Sequence, residues 1–157
     1  RPFSSSDLIE IKRIKARVEN ERLPLGADPV RHLKLGKGSL SDIEWLVQLL
    51  QLKLSVDNPS IRVLPTLEAL VELEKLGAIS SKEQERLSSA WTLSSRVRSA
   101  IVLALDKRIE TLPEDIKQLE AIARILEYPP GSGARLEEDY LSATRKARLD
   151  FEKLFYE

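Results

Sequence analysis

The 157 residues contain no cysteine, no methionine and a single histidine. Without cysteine the chain can form no disulfide, no thiolate metal site and no cysteine nucleophile. That fits a reducing compartment, and a cytoplasmic protein is expected. No apolar run approaches the ~18 residues that cross a bilayer, so no membrane partner is expected. Arg1 stands where an initiator methionine would, with no signal-like stretch behind it, which reads as a domain boundary at residue 1 of a longer protein. Neither sign of charge is in excess: Lys+Arg and Asp+Glu both number 25. Nucleic-acid binders neutralise phosphates with a basic surplus, so nucleic acid is not expected as a partner. His32, beside Arg31 and Lys34, reads as a surface residue, and no Ser-His-Asp constellation or metal-ligand cluster accompanies it. No catalytic residue and no metal site is expected within these residues.

What is present is an ordinary globular balance, 42% hydrophobic and 32% charged. It is one domain's worth of chain, able to bury roughly 68–70% of its unfolded surface. Apolar residues recur at three and four, the helical spacing, and no stretch alternates as a strand does. Ser4-Ser5-Ser6-Asp7 supplies N-caps for a helix over about Asp7 to Arg22, carrying Leu8, Ile11, Ile14 and Val18. The basic residues of this helix, Lys12, Arg13, Lys15 and Arg17, are balanced by Glu10, Glu19 and Glu21 and read as a solvated face. Pro24, Gly26 and Pro29 break it, and a basic, glycine-punctuated loop runs from Arg31 to Ser39.

Ser41-x-x-Glu44 matches a capping box for a second helix from Asp42 to about Leu54, apolar around most of its girth and so central to the core. Its polar stripe, Glu44, Gln48 and Gln51, reads as a narrow solvent-facing strip. A turn at Asp57 to Ser60 precedes a third helix, capped by Thr66 and ended by Gly77. Ser80-x-x-Glu83 is another capping box, opening a fourth helix to about Leu105. Leu112-Pro113 starts a fifth that stops before Tyr128, and a sixth runs from about Arg135 to Tyr156. The expected fold is an all-α bundle of about five to six helices, mostly antiparallel, in a single domain over residues 1–157.

Two features of these helices bear on function. Asp42 and Glu44 lie about 200° apart around a helix, so they cannot share one metal or proton. In the fourth helix Arg98 interrupts the apolar stripe of Leu87, Trp91, Ser94, Ile101 and Leu105, while Arg96 points away. A guanidinium on a buried face needs a carboxylate, and Asp42, then Glu44, is the expected partner. The Gly36-Lys37-Gly38-Ser39 run is not a Walker A loop, because Arg31 stands where its first glycine must be and no strand precedes it. As a basic loop entering a helix N-terminus it remains able to touch an anion; a tight turn needing glycine's backbone freedom explains it equally well.

The segment 33–52, LKLGKGSLSDIEWLVQLLQL, closely resembles the K-x-G-x-G-G-[LI]-x-[DE]-[IV]-E-[FW]-x-x-Q motif of the bifunctional glutamine synthetase adenylyltransferases. The likeness continues through residues 66–70, Arg96-Val97-Arg98, Leu112-Pro113, residues 128–131 and 138–141, and closes over Arg145 to Phe155. It departs at Ser39, where the family has its second glycine, and at Ser99, where an Asn is common. Asp42-Ile43-Glu44-Trp45 is similar to the C-terminal of the family's two halves, each a nucleotidyltransferase domain followed by a helical bundle. The resemblance implies a parent enzyme that transfers AMP from ATP, with Mg²⁺, to a tyrosine of glutamine synthetase, and whose other half removes it by phosphorolysis. It implies that the Gly-Ser signature and paired aspartates of that chemistry lie in an adjoining nucleotidyltransferase domain. This chain would then be a substrate-positioning or regulatory scaffold with no cofactor of its own. Implied partners are that domain, glutamine synthetase and a PII-type signal protein. The motif residues carried over are Lys34, Gly36, Gly38, Asp42, Glu44 and Arg98, with interface or structural roles. A free-standing helical interaction module and the helical domain of a PII uridylyltransferase are the alternatives.

Overall fold

The computed structural model describes residues 2–157, so Arg1, the expected domain boundary, lies outside the described residues. Among the described residues there are six α-helices: α1 (Ser5–Glu21), α2 (Leu40–Leu54), α3 (Thr66–Lys75), α4 (Ser81–Leu105), α5 (Ile116–Ile125) and α6 (Gly133–Phe151). A short 3₁₀ turn spans Pro59–Val63, and α6 continues into a π-helical turn over Glu152–Tyr156. The all-α fold is as the periodicity predicts, and no helix among the described residues is long and apolar enough to cross a membrane.

Local chemistry sets most boundaries. At α1, Ser4 caps the Asp7 amide and the Asp7 carboxylate accepts the Ser4 N–H at 2.8 Å, a capping box with Asp in the usual Glu place. The Ser80/Glu83 box opens α4 as expected. Gly77 ends α3 at φ +76, with the Ala78 amide on the Leu73 carbonyl and the Gly77 amide on Glu74, a Schellman closure that needs a left-handed residue.

Elsewhere tertiary structure moves the boundary. The Ser41/Glu44 box does not form, because α2 starts two residues earlier at Leu40 and carries both inside the helix. Ser39 takes the N-cap position, and its hydroxyl donates to the Leu33 carbonyl instead. Thr66 is the first helical residue of α3 rather than its cap, which is Pro65. The turn expected at Asp57 to Ser60 tightens into the 3₁₀ helix, with Pro59 at its start. Leu112-Pro113 does not open α5. The chain there is extended and bonded to the loop before α2, with the Leu33 amide on the Glu110 carbonyl and the Leu112 amide on the Arg31 carbonyl. The helix begins at Ile116, capped by Asp115.

Two apolar clusters form the core. One gathers Ile43, Leu46, Leu49 and Leu50 of α2 with Leu70 and Leu73, Leu87, and Phe151 and Phe155. The other gathers Leu33, Val97, Ile101, Leu112, Leu119, Ile122, Leu136 and Tyr140. The helices α4 and α6 contribute to both, so they run the length of the molecule, and α2 is buried on most of its surface as its composition demands. Against this, α1 lies on the outside and buries a single residue, Lys15.

Candidate functional site

The motif loop packs directly against α6. Gly38 has φ +75, and a Cβ there would run into the Thr144 carbonyl oxygen of α6, so only glycine allows the two backbones this close. Gly36 is similarly closed in by the His32 carbonyl. The Gly38 amide points into the start of α2 and donates to Asp42 Oδ2 at 2.7 Å. The anion that such a loop can hold is therefore supplied by the chain itself.

Around Asp42, only 1% exposed, three elements converge. Lys15 of α1, 2% exposed, reaches Oδ1 at 2.7 Å. Arg148 of α6 reaches Oδ2 at 3.0 Å and Glu19 of α1 at 2.9 Å, and its Nε lies 2.8 Å from Glu152. Lys15 is also 3.4 Å from Glu19, and the Tyr156 hydroxyl donates to Glu19 at 3.3 Å. Both cations lie over the Phe151 ring, at 5.4 Å and 5.0 Å from its centroid. Burial pushes the Glu19 carboxyl up, but the hydrogen-bonded Arg148 and the charges of Arg148 and Lys15 outweigh it and hold the group below its ordinary value. Burial works against the Arg148 charge, and the surrounding carboxylates reverse that, raising it above its ordinary value. Burial and the neighbouring Glu19 charge push the Tyr156 phenol up.

This network corrects two expectations. Lys15 is not on a solvated face. It sits on the same helical stripe as Leu8, Ile11 and Val18, a signal present in the sequence that charge balance obscured. Arg98 does not pair with Asp42 or Glu44: its Nε and Nη2 meet the two Glu110 oxygens at 3.0 and 3.1 Å. Both Asp42 oxygens are already engaged, and the chain reversal after α4 returns Glu110 to Arg98, twelve residues on. The hydrogen bond from Arg98 and then its charge hold the Glu110 carboxyl below its ordinary value, against burial.

His32 is also not a surface residue. It is 6% exposed, opposite Thr111 in the bridge between the loop and the segment before α5, and its Nδ1 accepts the Leu35 amide at 2.9 Å. Beside it Arg31, buried as well, donates to the Leu112 and Pro113 carbonyls and pairs with Glu137 of α6 at 2.7 Å. Of the six motif residues, Gly38 and Asp42 thus meet at the loop–α2–α6 junction, and Gly36 is buried within the loop against the His32 backbone. Lys34 is exposed on the loop, Glu44 is half-buried one residue beyond Ile43, and Arg98 belongs to a separate pair. Lys15, Glu19 and Arg148 complete the site from outside the motif.

Chemically the arrangement is a clasp. A carboxylate with both oxygens saturated by cations and an amide is neither a free base nor a metal ligand, and Mg²⁺ brought to Asp42 would meet Lys15 and Arg148. These residues do not fit a divalent cation. What they do is fix α1, the loop and α6 relative to one another.

Comparison with known proteins agrees with the resemblance in the sequence. The chain is 54% identical over 94% of its length to a bifunctional glutamine synthetase adenylyltransferase/adenylyl-removing enzyme of Leifsonia xyli. It is 44% identical over 94% to one of Streptomyces avermitilis, and 43% identical over 93% to one of Mycobacterium avium. The chain spans about 15% of the length of each of these relatives. A family model described as GlnD PII-uridylyltransferase matches residues 12–155, nearly the whole chain and every residue of the clasp but Tyr156. On that match the chain belongs to the GlnD PII-uridylyltransferase family.

Proposed function

We propose that this chain is the C-terminal helical domain of a longer, cytoplasmic bifunctional glutamine synthetase adenylyltransferase. It holds an adjoining nucleotidyltransferase domain and its substrate in register and performs no nucleotide chemistry itself. The observation that carries the reading is the 54% identity over 94% of the chain to a protein bearing that activity in its name. The geometry supports the division of labour: Asp42, the acid of the motif, is spent on Lys15, Arg148 and the Gly38 amide. ATP and Mg²⁺ belong to the neighbouring domain, and glutamine synthetase, with a PII-type signal protein, is the partner. In the full-length protein, Lys34→Ala should lower adenylyl transfer without unfolding the bundle, since Lys34 is exposed and makes no ion pair among the described residues.

A second reading, a PII uridylyltransferase, is favoured by the description of the matching family. One assay separates the two. Full-length protein is given labelled ATP with glutamine synthetase, or labelled UTP with PII protein, each with Mg²⁺. Label from ATP on glutamine synthetase supports the first reading, and label from UTP on PII overturns it. The 157-residue chain alone should transfer neither label. Transfer by it would overturn the scaffold role.

A further inference from the structure

Beside the Gly38 crossing a groove of roughly 400 Å³ opens between the motif loop and α6, lined by Val30, Lys37, Leu141, Thr144, Arg145 and Leu149, with the Arg148–Glu152 pair at one end. Its wall is mainly apolar, and Val30 and Leu149 are exposed at 46% and 65%. Arg148 and Glu152 are bonded to each other, and Arg148 is bonded further to Glu19 and Asp42. Lys37 and Arg145, by contrast, are exposed on opposite walls and make no ion pair or hydrogen bond through their side chains among the described residues. The groove is also preformed. Gly38 seats the loop on the α6 backbone and Asp42 holds the Gly38 amide, so the two walls cannot drift apart without breaking the clasp.

We propose that this groove docks an acidic protein segment that lays an aliphatic or aromatic side chain on Val30, Leu141 and Leu149 and sets carboxylates against Lys37 and Arg145. The charge pattern selects the occupant. Two unpartnered cations flanking an apolar floor favour an anionic chain with an apolar anchor, and repel a basic one. An apolar floor also disfavours phosphate or nucleic acid, which would gain from the cations and leave Val30 and Leu149 uncovered. The inference does not depend on which nucleotide or substrate the longer protein uses.

The test is a titration of the ¹⁵N-labelled chain, followed by amide shifts, with a short synthetic peptide carrying one leucine between Asp-Glu pairs. Three comparison ligands accompany it: the same peptide with Lys for every acid, the acidic peptide with Ser for Leu, and a single-stranded oligonucleotide. The acidic leucine peptide should shift amides around residues 30, 37, 141, 145 and 149. Lys37→Glu with Arg145→Glu should weaken it by about tenfold or more and create binding of the basic peptide. Leu149→Ser should weaken it while leaving the salt dependence unchanged. All three positions are exposed, so the amide spectrum outside the groove should stay in place in both variants. Shifts confined to other faces would overturn the proposal. So would equal binding of the serine peptide, or tighter binding of the oligonucleotide at the same amides.

Discussion

Removing the Asp42 carboxylate would leave Lys15, 2% exposed, with only Glu19 at 3.4 Å, while Arg148 would keep Glu19 and Glu152. Breaking one partner of a buried ion pair costs about 3–5 kcal/mol, so Asp42→Asn should lower the urea-unfolding free energy by that order. A loss below about 1 kcal/mol would mean the network behaves as an exposed one. Glycine gives a sharper contrast. Gly38 and Gly77 have nearly the same φ, +75 and +76, but only Gly38 has backbone in the way of a side chain. Gly77→Ala should therefore cost about 1 kcal/mol of left-handed strain, and Gly38→Ala about 2 kcal/mol or more, because α6 must also move. Equal losses in thermal melts would show that the loop does not seat on α6 as described. His32 adds a pH dependence. Burial holds its imidazole below the ordinary value of 6.5, aided by the Arg98 and Lys34 charges and opposed by Glu110. Its folded value is the lower one, so the unfolded chain takes up the proton first. The stabilisation is complete above 6.5 and is lost as pH falls through the folded value. The drop in urea midpoint between pH 7.5 and 5.5 should largely disappear in His32→Gln, and its persistence would assign the loss elsewhere.

At the scale of elements, the helix caps show which parts of the fold local chemistry decides. Where a cap is complete within four residues the sequence comes close: Ser80/Glu83 opens α4 as read, and at α1 the cap is Ser4, one of the four candidates, with the helix starting at Ser5 rather than Asp7. Where the start depends on a distant surface it misleads. The start of α2 is set by Gly38 meeting α6, and the late start of α5 by Arg31 and Leu33 bonding the 110–112 segment. The same division runs through the site. Asp42 and the two glycines stand in one contiguous motif, whereas Glu110 for Arg98 and Arg148 for Asp42 come from sequence-distant segments that no local spacing brings together. Lys15 was readable in principle, since it lies on an apolar stripe. One cap remains improvable. The α5 terminus is a Schellman closure, with the Tyr128 amide on the Ala123 carbonyl, yet its left-handed residue is Glu127 at φ +67. Glu127 is exposed, so replacing it with glycine relieves strain and removes no packing. Glu127→Gly should raise stability by about 0.5–1 kcal/mol, readable as a higher melting temperature, and a destabilised variant would contradict the cap assignment.

At the scale of the whole molecule, the two apolar clusters raise the question of whether the chain unfolds as one unit. Each could be an independent core, since no residue belongs to both. The helices argue otherwise. Leu87 and Ala90 of α4 belong to the first cluster and Val97 and Ile101 to the second, while Ala147 and Phe151 of α6 belong to the first and Leu136 and Tyr140 to the second. Melting either cluster would leave half of α4 and half of α6 without an apolar partner, and a helix in that state has little stability of its own. Leu70→Ala in the first cluster and Leu119→Ala in the second should each cost about 2–5 kcal/mol. Both should lower the midpoint of a single shared transition. The two tryptophans provide the check, because Trp45 and Trp91 both pack on the first cluster and so report only that end. In Leu119→Ala, tryptophan fluorescence and helical circular dichroism should still change together. Helix loss that precedes the fluorescence change would divide the molecule into two folding units, and the coupling through α4 and α6 would then be too weak to hold the clasp and the groove as one rigid face.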